Sequence, residues 1–135
     1  MSHLLDVNLL AACAWQSHAR HREANRWLQS LARFATCPVG QMGFLRVSMS
    51  PAYGACFADA RQALADILAL PAHQFLADDT TAAALPALTS RHHVTDAHFV
   101  TLAARHVLKL ATLDEPLCRA PWAAGVAVHP LGPQT

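Results

Sequence analysis

The chain has 135 residues, of which 53% are hydrophobic and 14% charged, a balance that excludes disorder and supports one domain with a sizeable buried core. Its formal net charge of +1 excludes a global electrostatic pull toward nucleic acid, so any such binding must rest on a local patch.

The chain begins MSHLLDVNLL, where no basic segment precedes the apolar run and Asp6 and Asn8 interrupt it, so it does not read as a signal peptide. No stretch approaches the roughly 18 apolar residues of a membrane span, and the expectation is a soluble, cytoplasmic protein without a membrane partner. His3 to Asp6 reads as a short strand, and Asn8 is placed to cap a helix from Leu9 to Trp15. Ala24, Trp27, Leu28, Leu31 and Phe34 recur at helical spacing and predict a helix over 19–34. Ala35 to Pro38 reads as a second strand, broken by Pro38 and Gly40, and Gln41 to Ser48 as a helix before a loop at Pro51 and Gly54. Phe57 to Leu70 carries one apolar face and predicts a helix stopped by Pro71, followed by a strand and acidic turn in HQFLADD. Thr80 reads as the cap of a short helix from Thr81 that Pro86 ends or kinks, and Thr95 as the cap of a helix from Asp96 to His106. KLATLD and GVAVHP read as the last two strands, and the tail 131–135 as frayed. Strands alternating with helices predict a single α/β domain over 1–135 with a central, mainly parallel sheet.

Cys13, Cys37, Cys56 and Cys118 contain no C-x-x-C pair and read as small hydrophobes in a reducing compartment rather than a disulfide framework or zinc site. The acidic residues are more informative. Asp6 ends the first strand, Asp114 ends LATLD, and Asp96 lies in the first turn of the helix after RHHVT. Ligands of open α/β sheets bind beyond the carboxyl ends of the strands. Three carboxylates gathered there repel one another unless a divalent cation neutralises them, and Mg²⁺ accepts such oxygen ligands while keeping several waters. That chemistry suits phosphodiester hydrolysis. Taken singly, each aspartate is better explained as a helix cap or dipole partner, and only the three together point to a site.

Four segments, LLDVNLLAA, CPVGQMGFLRV, VTDAHFVTLA and LATLDEPL, in this order, resemble those of PIN-domain ribonucleases, and more narrowly the VapC-type toxins of type II toxin–antitoxin pairs. HARHREANRWL is similar to the second helix of that family. The resemblance covers almost the whole chain. It implies a three-layer α/β/α PIN-like fold and a Mg²⁺- or Mn²⁺-dependent endoribonuclease. By the same resemblance Asp6, Asp96 and Asp114 hold the metal, with Asn8 and Thr112 in support. A homodimer, an RNA substrate and a cognate antitoxin that covers the acidic pocket are implied as well.

One position departs from the pattern. Gln41 stands where the family normally has a glutamate, so this catalytic position carries no charge and cannot act as a base at neutral pH. The alternative is therefore a PIN-fold protein with weak or absent nuclease activity that retains antitoxin or RNA binding. Glu115 follows Asp114, but neighbouring strand positions face opposite sides, so a rescue from there is not expected. Arg46 reads either as an RNA-phosphate contact or as a surface or acid-paired arginine. Arg20, Arg22, Arg26 and Arg33 read as the solvated face of the second helix rather than as a basic patch. Histidine spacing does not suit zinc, and His98 reads as a shaping residue of the acidic pocket.

Overall fold

The computed structural model describes residues 2–132. Five strands, β1 (His3–Leu5), β2 (Phe34–Thr36), β3 (His73–Phe75), β4 (Lys109–Ala111) and β5 (Ala127–Val128), form one sheet in the order β3-β2-β1-β4-β5. Every pairing is parallel. Six helices join them: α1 (Val7–Ala14), α2 (His21–Ser30), α3 (Pro38–Ser48), α4 (Phe57–Leu68), α5 (Val94–Arg105) and α6 (Glu115–Arg119).

Two-residue alternation in these short strands builds two separate cores. Leu5, Phe34 and Ala111 face one side and pack with Leu9, Leu28, Phe44 and Leu64 of α1 to α4. Leu4, Ala35 and Leu110 face the other and pack with Phe99, Leu102 and Leu117 of α5 and α6. The expected three-layer α/β/α arrangement with a parallel sheet is thus present, and parallel strands covered on both faces explain the near-continuous apolar runs.

The strand order carries functional weight. From β1 the chain builds outward through β2 to β3, then returns to lay β4 and β5 on the opposite side of β1. The gap between β1 and β4 is the topological switch point, where the connections leave in opposite directions and a crevice opens beyond the carboxyl ends.

Several boundaries differ from the sequence reading. The cap of α1 is Asp6, whose side chain accepts from Val7 N, so Asn8 lies inside the helix and its amide is left for other work. The expected helix over 19–34 shortens to His21–Ser30 because Phe34 is recruited into β2. Pro38 does not end a strand but opens α3, since the first helical turn needs no proline N–H. Thr80 does not cap a helix from Thr81: its hydroxyl has no partner among the described residues, and only a one-turn 3-10 helix at Ala82–Ala84 follows Thr81, which makes no side-chain cap. The α5 helix begins at Val94, not behind a Thr95 cap. LATLD divides: β4 stops at Ala111, and Asp114 caps α6. In the tail expected to fray, Arg20 donates to the carbonyls of Leu131 and Gly132 at 3.3 and 3.1 Å; residues 133–135 lie outside the described residues. Among the described residues no helix is long and apolar enough to cross a membrane.

Candidate active site

Asp6 leaves β1 opposite the end of β4, with its backbone N–H donating to Ala111 O at 3.0 Å. Only 6% of it is exposed. Its carboxylate is held at both oxygens: Oδ1 accepts from Val7 N at 2.7 Å, and Oδ2 accepts from Thr112 Oγ1 at 2.7 Å. Burial pushes its pKa up, the bonds from Thr112 and Val7 oppose this, and the charge of Asp114 adds to the rise.

Thr112 is the hub of this corner. Its hydroxyl donates to Asp6 and accepts from Asn8 Nδ2 at 3.3 Å and from Asp114 N at 3.1 Å. One donor and two lone pairs are thereby all engaged. Asn8 completes the weld by accepting from Leu113 N at 3.2 Å. Two amino acids far apart in sequence thus lock the start of α1 to the β4–α6 connection. Asp114 caps α6, with Oδ1 accepting from Leu117 N at 3.0 Å.

Asp96, in the first turn of α5, is half-buried, and among the described residues nothing donates a hydrogen bond to its carboxylate. Burial and then the charges of Asp6 and Asp114 push its pKa up to about 6, with His93 acting in the other direction. No lysine or arginine forms an ion pair with Asp6, Asp96 or Asp114 among the described residues. The switch-point crevice therefore holds an uncompensated negative charge.

The side chains do not form a closed metal cage: among the described residues no three of His, Cys, Asp and Glu are gathered tightly enough to hold an ion outright. A hydrated hard cation needs less, since Mg²⁺ is commonly held by one or two carboxylates with water completing its octahedron. The all-oxygen donor set and the mutual repulsion recorded at Asp96 fit such an ion and not zinc.

Gln41 is turned elsewhere. Its Nε2 donates to the buried Thr36 Oγ1 at 3.1 Å, and that hydroxyl lies 2.7 Å from His73 Nε2. Burial lowers the pKa of the His73 ring, which favours its neutral form. Glu115 sits at the exposed start of a helix rather than on a strand and lies 3.7 Å from Arg119. Arg46, in the last turn of α3, has no carboxylate partner among the described residues. It lines a cleft of about 570 Å³ with Val7, Val39, Met42 and Thr95, and Val7 and Thr95 adjoin Asp6 and Asp96.

Sequence reasoning missed Asp78. Its Oδ2 accepts from Val39 N at 3.0 Å at the start of α3, and its Oδ1 meets His98 Nε2 at 2.9 Å on α5. This strut ties the long connection after β3 to both helices that flank the crevice, and it gives His98 a positioning duty. The Asp78-Asp79 pair read only as an acidic turn, because its partners are distant in sequence.

No protein-family model matches the chain. Among curated proteins it is 42% identical over 120 residues to Ribonuclease VapC38 of Mycobacterium tuberculosis, covering 82% of this chain and 84% of that one. It is 33% identical over 127 residues to Ribonuclease VapC39 of the same species, covering 87% and 91%. Ribonuclease VapC29 shares 34% identity over 120 residues, covering 87% and 89%. With this identity along nearly the whole length and a parallel three-layer sheet beneath it, the chain belongs to the VapC family of PIN-domain ribonucleases.

Proposed function

We propose that this chain is a Mg²⁺- or Mn²⁺-dependent endoribonuclease, the toxin of a toxin–antitoxin pair that acts on RNA in the cytoplasm. The observation that carries the reading is Asp96, whose carboxyl is pushed up to about 6 by burial and by Asp6 and Asp114, with no lysine or arginine paired to any of the three among the described residues. Asp6, Asp96 and Asp114 would hold the ion. When bound, the ion supplies Lewis-acid charge that acidifies the hydrolytic water and offsets charge building on the phosphodiester oxygens.

The chain's own groups do the rest. Thr112 and Asn8 fix the Asp6 carboxylate in one orientation, so little reorganisation accompanies reaction. Asp114 is steadied by its cap to Leu117 N. Arg46, without a carboxylate partner among the described residues and lining the cleft with the neighbours of Asp6 and Asp96, is available for a bidentate grip on a neighbouring phosphate. A cognate antitoxin finds a groove between α2 and α4 whose apolar lining of Leu28, Ala63, Ile67 and Leu70 is flanked by Asn25, Gln29 and Asp66, a mixture suited to an amphipathic helix. Exposed Met42 and Val94 at the crevice give a homodimer an apolar face.

A second reading, a chain with weak or absent nuclease activity that keeps its antitoxin or RNA surface, is favoured by Gln41, whose amide is engaged with Thr36 instead of with the aspartates. One experiment separates the two. RNA cleavage is measured with Mn²⁺ for the protein, for Gln41→Glu and for Asp96→Asn. The nuclease reading expects cleavage that chelator and Asp96→Asn abolish. Activity only in Gln41→Glu supports the second reading, and no cleavage by any form removes the first.

A further inference from the structure

Away from the aspartates, the α1–α2 turn and the exposed face of α2 enclose a concavity of about 680 Å³ lined by Gln16, His18, His21, Arg22, Asn25 and Arg26. Its lining is a set of donors. Arg22 and Arg26 stand four apart on one helix face, an arrangement of like charges that works against the helix. Among the described residues neither has a carboxylate partner; the adjacent Glu23 is held by Arg20 at 2.8 and 3.3 Å. His18 Nδ1 accepts from Arg20 N at 3.0 Å, so the neutral ring carries its proton on Nε2. His21 Nδ1 lies 2.8 Å from the carbonyl of Ala12 and must be the donor there, which leaves its other nitrogen free. Folding thus engages Arg20 at four of its five N–H groups and, among the described residues, leaves Arg22 and Arg26 without a carboxylate partner.

The location links this face to the catalytic edge. Arg20, at the mouth of α2, grips the carbonyls of Leu131 and Gly132, which follow the carboxyl end of β5. All five strands are parallel, so that end lies on the same sheet edge as Asp6 and Asp114.

We propose that this face is a phosphate-binding site for the RNA strand outside the catalytic pocket, with Arg22 and Arg26 gripping backbone phosphates at a distance from the bond that is cut. The proposal rests on the ribonuclease reading. Gln16 and Asn25 beside the arginines supply amides suited to sugar hydroxyls, which an acidic protein segment would lack.

The test uses the full chain carrying Asp96→Asn, so that RNA binds without being cut. Anisotropy of a labelled single-stranded oligoribonucleotide is followed against salt, with and without Arg22→Ala/Arg26→Ala. Each phosphate contact on a single strand contributes about 0.7 to the salt slope, so the double variant should lower the slope by about 1.4. In the otherwise native protein the same pair should raise KM for a long RNA with little change in kcat, and Arg22→Lys/Arg26→Lys should restore most of the slope. An unchanged slope in a protein that still binds and cuts RNA overturns the site and leaves the ribonuclease reading standing. Polyglutamate of equal charge binding as tightly as RNA reassigns the face to an acidic protein partner. A parent chain that neither binds nor cuts RNA removes both readings together.

Discussion

Thr112 shows how a single hydroxyl can determine the shape of a site. A valine there would keep the volume but leave the Asp6 carboxylate, the Asn8 amide and the Asp114 N–H each short of a partner in a buried corner. The same corner makes Asp96 a liability to the metal-free fold. A carboxyl whose pKa rises on folding, here from 3.8 to about 6, holds its proton more tightly in the native state than in the unfolded chain. Its favourable contribution is complete at pH below about 4 and is lost as pH rises through about 6. At 1.36 kcal/mol per pH unit the full conversion is about 3 kcal/mol, and solvent screening at a half-exposed carboxyl brings this to about 1 kcal/mol. Asp96→Asn should therefore stabilise the metal-free protein at pH 7 by about that amount, add little at pH 4, and abolish cleavage. Chelator-treated samples unfolded in urea at both pH values check this, and equal effects at the two would show that Asp96 is not strained by its neighbours.

At the scale of elements, the α3–α1 contact decides how the cleft is shaped. Two glycines of α3 behave differently. A Cβ on Gly43 would lie 2.6 Å from Val7 Cγ2, whereas one on Gly40 would sit 3.5 Å from Phe99 and 3.7 Å from Cys37 Sγ, ordinary packing distances. Alanine gains about 1 kcal/mol over glycine within a helix. Overpacking costs about 1–3 kcal/mol, and stiff β-branched Val7 yields little. Gly40→Ala should be neutral or stabilising by up to about 1 kcal/mol. Gly43→Ala should lose about 1 kcal/mol net and impair activity, since Val7 adjoins the cap made by Asp6. Thermal unfolding of the two variants side by side checks the contrast. Helix and strand order were legible because apolar spacing distinguishes them, whereas the aspartates stood out only as a set, each alone reading as an ordinary helix cap or dipole partner. Boundaries were less so. Whether Asp6 or Asn8 caps α1 depends on where β1 stops pairing with β4, and Phe34 fits a helical stripe as well as a buried strand until β1 and β3 claim it.

For the whole molecule, topology does what local sequence cannot announce. The return of the chain to the far side of β1 is what puts Asp6 beside Thr112 and Asp114, and only the folded sheet reveals that Gln41 answers Thr36 while Asp78 braces α3 and α5. The same organisation gathers acidic side chains at one end of the domain, where a cation, if held there as proposed, would act on stability as a whole. An ion that binds only the native state adds RT ln(1 + [L]/Kd), about 2.7 kcal/mol at a hundred times its Kd. Mn²⁺ should therefore raise the unfolding temperature in a concentration-dependent way at pH 7, above the value of about 6 to which the Asp96 carboxyl is pushed. The gain should shrink toward pH 5, as Asp96 takes up its proton. Equivalent ionic strength from a monovalent salt should reproduce little of it, because screening weakens repulsion without occupying the crevice. Asp6→Asn should remove most of the Mn²⁺ effect, whereas Arg22→Ala on the far face of α2 should leave it intact. A shift of equal size from Mn²⁺ and from monovalent salt would mean that the three carboxylates repel one another without ever sharing an ion.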